Sequence, residues 1–151
     1  MRPVFVVGRI IFGGFFLYSG LNHFLQHEPL SGHAASKGVP AAPAAVAVSG
    51  AILVAGGASI ITGIRPRNGL ATLIAFLVPV SLQMHRFWEI DDPGARMMEM
   101  TNFMKNMALV GAALTMMHIE EPWPASVDAA RASDDEMYVR LGGRELRSLP
   151  A

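Results

Sequence analysis

Hydrophobic positions along the chain gather into four long runs. The first, residues 4–24, is interrupted only by Arg9 and the Asn22-His23 pair. The second, 43–64, carries no charge, and the third, 69–84, is also uncharged and leads into HRFWE at 85–89. The fourth, 97–117, is apolar from Met107 onward, yet its first half holds Glu99, Asn102, Lys105 and Asn106. A helix needs about 20 residues at 1.5 Å each to cross the hydrocarbon core of a bilayer. Runs one, two and four reach that length. The third does so only if its helix continues through Gln83 to Trp88, and Pro79 is a point where it can kink. The pattern predicts an all-α protein, an up-down bundle of four transmembrane helices over 4–24, 43–64, 69–88 and 97–117.

Core helices of a soluble bundle keep a polar stripe along one face, and the second run has none. The first run reads as a retained helix and not as a cleaved signal, because Arg9 breaks the apolar region and no A-x-A-like site follows. Within the second run Ala47, Ala51, Ala55, Ser59 and Gly63 recur at every fourth position. Small residues so spaced predict a seam where a neighbouring backbone comes close, which is how helices associate in lipid.

Composition agrees with this reading. Of the 151 residues, 52% are hydrophobic and 16% charged, and the charges cancel. About a quarter charged is usual for a soluble domain. The balance leaves no basic excess to attract nucleic acid. Cysteine is absent, which excludes disulfides and thiolate chemistry on this chain. The charge is also unevenly spread, since residues 119–151 hold seven of the twelve acids and four of the twelve bases. The chain therefore divides into a bundle, 1–118, and a polar C-terminal extension, 119–151. In the extension MYVRL and REL flank Gly142-Gly143, a hairpin spacing. A lone two-stranded hairpin is marginal in water, so the extension is expected to dock on a partner subunit or on the membrane surface. Arg2, Arg65 and Arg67 fall on one side of the bundle, against Lys37, Arg86 and Arg96 on the other. By the positive-inside rule this puts both termini in the cytoplasm, in a bacterial inner membrane.

The polar residues of the bundle collect at one end. Asn22, His23 and Gln26 finish the first helix, Gln83, His85, Arg86 and Glu89 finish the third, and Glu99, Asn102, Lys105 and Asn106 begin the fourth. Lys105 lies about 12 Å beyond Met97 at the standard helical rise. A charge at that depth is costly unless it faces the bundle and is paired. The expected partners are Glu89, Glu99 or amide oxygens. Two readings follow. One is a structural clamp that sets helix register, with Lys105 free to reach toward the interface. The other is a ligand site of His23, His85, Arg86, Glu89, Asn102, Lys105 and Asn106 for the oxygens of a quinone or a lipid. Arg9, Asn22, Gln83 and Glu99 are assigned structural polar roles. Metal or haem ligation has the least support, because neither histidine sits in a ligand-spaced motif. Trp88 reads as an interface anchor, and His27, His33 and His118 as interfacial or loop residues.

Several landmarks occur in a telling order: RIIFGGFFLYSGLNHF at 9–24, KGVP at 37–40, GGASIITG at 56–63, H-x-FW at 85–88 and FMKNMALVGAAL at 103–114. This order resembles the DoxX/DoxD-like family of small four-helix membrane proteins, over roughly residues 4–118. The matching positions are Arg9, Gly20, His85, Phe103, Lys105 and Asn106. The resemblance implies a partner of membrane oxidoreductase systems, such as quinone-linked thiosulfate oxidation in one branch and a thiol-stress complex in another. Fold transfers from such a resemblance more readily than activity does. Many relatives carry a glutamate just ahead of the glycine pair of the second helix, where this chain has Leu53. The expectation is an accessory subunit of a larger membrane complex. The alternative is a quinone- or lipid-binding oxidoreductase component that uses the polar rim.

Overall fold

The computed structural model describes residues 2–147. Among these residues all regular structure is helical: α1 (Arg2–Leu25), α2 (His27–Ser36), α3 (Ala42–Thr62), α4 (Pro66–Met84), a 3-10 turn (Phe87–Glu89), α5 (Pro93–Met116) and α6 (Val127–Arg147). Three stretches are long and apolar enough to cross a membrane: Pro3–Leu25, Ala42–Thr62 and Pro66–Glu89. The fourth apolar run does form a long helix, α5. It falls outside that set because Arg96, Glu99, Asn102, Lys105 and Asn106 crowd its first half.

The α1–α3 pair is the most extensive packing in the molecule, followed by α3 on α4 and α4 on α5. Glycines on both partners explain how closely α1 and α3 approach. A Cβ on Gly13 would lie 2.8 Å from the Gly57 carbonyl oxygen, and one on Gly20 would lie 2.7 Å from that of Gly50. Each helix thus offers two glycines seven residues apart, and backbone meets backbone. This corrects the seam expected from fourfold spacing. Ala51 and Ala55 are exposed, whereas Gly50, Leu53, Gly57 and Ile60 are buried. The apolar residues of α3 surround it on every side, so its pattern could not single out the buried face. The core that results gathers Phe16, Leu53, Ile60, Leu70, Leu73, Leu77 and Ala113.

The turns follow from local chemistry. Between α3 and α4 the chain reverses over Gly63 and Arg65, both in the left-handed region at φ 69 and 45, and Pro66 opens the next helix. Proline suits a first turn, where no N–H is needed for the helix. Ser59 Oγ donates to the Ile64 carbonyl at 2.7 Å and ties the reversal down. The segment between α1 and α3, where His27 and His33 read as interfacial or loop residues, is helical. It forms α2, with Pro29 in its first turn and with Leu30 and Ala34 packed near Val39, Val46 and Met84. The helix owes its existence to that packing, which no local pattern announces. The third span was expected to run helically to Trp88. It ends instead at Met84, His85 is the C-cap, and a 3-10 turn follows. Pro79 stays within α4.

The end of the bundle near Arg65 is closed by residues beyond α5. Trp123 is fully buried and meets Phe5 edge-on at 5.2 Å. The Arg9 guanidinium donates to the Ala125 carbonyl. Glu121 accepts from the Arg67 backbone N–H at 3.1 Å, and Asp128 from that of Arg65 at 2.8 Å. The hairpin expected around Gly142-Gly143 is replaced by α6, which runs through both glycines. Ser126 Oγ caps this helix by accepting from the Ala129 N–H at 3.0 Å, and Asp128 sits in its first turn. A ribbon without a third strand leaves one edge of each strand unpaired, while a helix satisfies its own backbone. That outweighs the roughly 1 kcal/mol that each glycine costs a helix.

Candidate functional site

The opposite end of the bundle carries a polar rim centred on Glu99. One carboxylate oxygen lies 2.7 Å from Lys37 Nζ, and the other lies 2.7 Å from His85 Nδ1. All three side chains are mostly shielded, at 16% exposure for Glu99, 26% for Lys37 and 21% for His85. The Lys37 carbonyl accepts from Gln83 Nε2 at 2.8 Å and from an Arg86 nitrogen at 3.4 Å. The loop after α2, the end of α4 and the second turn of α5 are thereby joined through one lysine and one glutamate. Arg86 also pairs with Glu89 at 3.1 Å, on the exposed side.

A layer inward, Asn106 Nδ2 donates to Ser81 Oγ at 3.0 Å, and the fully buried Ser81 hydroxyl donates to the Leu77 carbonyl at 2.6 Å. This relay lets α5 carry an amide against α4 without an unsatisfied donor. Phe87, Trp88 and Phe103 form a mutually edge-on cluster at 5.1, 5.6 and 5.9 Å, which seats the 3-10 turn on α5. Trp88 remains half exposed.

Lys105 is not at the centre of this network. Its expected partner Glu99 is occupied by Lys37 and His85, and Lys105 makes no hydrogen bond or ion pair with any described residue. It lies exposed on the wall of an open groove of about 580 Å³, along with Phe15, His85, Asn102, Asn106 and Leu109. His23 is elsewhere. Its Nδ1 donates to the Ser19 carbonyl at 2.7 Å, and its ring lines a second, mainly apolar cavity of about 450 Å³ with Leu30, Val39, Pro79, Gln83 and Met84. Because a carbonyl can only accept, the Nδ1 of His23 carries the proton. The rim residues predicted as one group are therefore split between two cavities, with His85 and Lys105 in one and His23 in the other. Asn22 accepts from Gln26 on the exposed surface, and Arg9 is buried at the far end.

Residues 4–86, which are 83 of the 151, match the DoxX family. The chain belongs to the DoxX family. The match runs from the start of α1 to Arg86, so the DoxX-matched region contains Lys37, Gln83 and His85 and stops before Glu99 and Lys105. In this DoxX chain Leu53, which takes the place of the glutamate expected in many relatives, is 2% exposed within the apolar core. No curated protein and no solved structure matches.

Sequence reasoning missed Lys37 and Ser81. Lys37 counted only as a loop charge, since nothing in its local pattern tells that a loop will fold back over α5. Ser81 left one signal, a hydroxyl within an otherwise apolar run four residues after Leu77.

Proposed function

We propose that this chain is an accessory subunit of a larger membrane complex of the redox type, anchored by α1, α3, α4 and α5 as four spanning helices. The observation that carries this reading is α6. Every residue from Arg131 to Val139 is exposed, and Met137, Tyr138 and Val139 are 51%, 70% and 76% exposed. In proteins most of a helix's stability comes from packing one of its faces, so a partner surface gives α6 its reason to persist. The rim points the same way: Glu99, Lys37 and His85 satisfy one another, which is the signature of a clamp that sets register more than of a site awaiting a quinone. Kinship with DoxX proteins supplies the class of complex, by analogy. Arg65 and Arg67 support a reading in which the Arg65 end, and α6 with it, lies on the cytoplasmic side of a bacterial inner membrane.

The test is a pair of truncations. Ending the chain after Ala130 keeps Trp123, Ser126 and Asp128 and removes most of α6. It should leave insertion and thermal stability intact while the high-mass assembly disappears from native gels of mild-detergent extracts. Ending it after Met117 also removes Trp123 and should lower stability as well. Assembly unchanged by the first truncation rules the accessory reading out.

A further inference from the structure

The groove beside Lys105 has two unmatched polar groups and an apolar wall. Lys105 and Asn102 stand three residues apart on α5, hence on one face, and neither has a partner among the described residues. Among the described residues no acid lines the groove, and the nearby carboxylate of Glu99 already serves Lys37 and His85. The groove therefore holds an uncompensated positive charge. Its polar lining, His85, Asn102, Lys105 and Asn106, belongs to the rim half of α5 and the end of α4. Leu109 lies further along α5, and Phe15 is mid-helix on α1. Polarity thus falls from the rim inward, as it does along an amphiphile. Phe15 is itself half exposed, as are Ile11 and Tyr18, four residues before and three after it on α1, and Met104, the neighbour of Lys105 on α5, so the groove opens onto the surface that faces acyl chains. A volume of about 580 Å³ is within the range of ligand sites.

We propose that this groove binds one anionic glycerophospholipid, its phosphate on Lys105 Nζ and the Asn102 amide and an acyl chain along Phe15 and Leu109. Charge decides the class of ligand. A neutral quinone would bring carbonyl oxygens but leave the ammonium uncancelled at membrane depth, whereas a phosphodiester cancels it and accepts from both donors. A free anion would satisfy Lys105 and leave the apolar wall uncovered. The site is independent of the accessory role of α6.

The full-length protein, stripped of lipid by prolonged washing in a neutral detergent, is titrated with phosphatidylglycerol, phosphatidylcholine, a short-chain ubiquinone or inorganic phosphate. Native mass spectrometry reads the bound species and thermal unfolding reads the stabilisation. Wild type should retain phosphatidylglycerol about tenfold more strongly than phosphatidylcholine, a difference that Lys105→Gln erases and Lys105→Arg keeps. Equal retention of the two lipids, an unchanged preference in Lys105→Gln, or saturation by ubiquinone or phosphate in place of the lipid overturns the site. A second measurement needs no variant. Phosphatidylglycerol with a diazirine in its acyl chain is photolysed on the wild-type protein, and adducts should concentrate at Phe15 and Leu109. Adducts spread evenly over the outward faces of α1 and α4 overturn it too.

Discussion

The two ends of this bundle handle charge in opposite ways. At the Arg65 end Arg9 is 4% exposed, and two of its three guanidinium nitrogens have no hydrogen-bond partner. The third donates to a backbone carbonyl of the segment that folds over it. At the His85 end each charged group of the central triad faces an opposite charge or a hydrogen-bonding ring, and the surface stays partly open. The first end is held shut by the packing of Trp123, with Glu121 and Asp128 accepting from backbone N–H groups beside it, and tolerates an under-satisfied cation. The second is held by polar pairs and leaves Lys105 over an open groove. Packing closes a surface. Pairing fixes register without closing it.

Five substitutions, one of them added to another, test that contrast, in descending order of expected effect. Trp123→Ala should cost about 3–5 kcal/mol, the range for truncating a buried aromatic, measured by unfolding in mild detergent. A loss under about 1 kcal/mol would mean that the closing segment is ornamental and that the two ends do not differ in kind. Glu99→Gln should cost about 1–2 kcal/mol, because it leaves the Lys37 ammonium facing an amide in a partly shielded site. Adding Lys37→Met to Glu99→Gln should recover part of the loss. Strict additivity of the two changes would show that the pair is not coupled.

Arg9→Met should leave stability unchanged or raise it by about 1 kcal/mol, since an apolar chain of similar reach removes the burial cost of a poorly satisfied cation. A clear loss would place the guanidinium among the groups that hold the Arg65 end shut. The smallest change is expected from Lys105→Met, within about 0.5 kcal/mol in lipid-free detergent, because this lysine is exposed and pairs with nothing. A loss comparable to that of Glu99→Gln would show that Lys105 belongs to the clamp after all.

Much of the fold was legible because a helix that crosses a membrane is apolar along its whole length, whichever face it buries. The four runs became α1, α3, α4 and α5, with ends displaced by a few residues where a cap or a turn intervened, as at His85. The gathering of polar residues at one end was legible as well, since up-down connection of helices puts the end of α4 beside the start of α5. Identity of partners was not. Glu99 was offered Lys105 by sequence logic and is paired with Lys37 in the fold. His23 and His85 share an end but not a cavity.

By itself the sequence determined that the described residues are helical, that the first three runs are apolar enough to span, and at which end the polar groups collect. Each of these follows from the composition of a local window. Tertiary structure alone decided which glycines form the α1–α3 contact, that the loop lysine Lys37 reaches Glu99, and that Trp123 returns to close the Arg65 end. Those outcomes depend on which faces meet and how far a connecting segment folds back. In an apolar helix such as α3, every face looks the same until a neighbour arrives, so periodicity carries no information about its buried side.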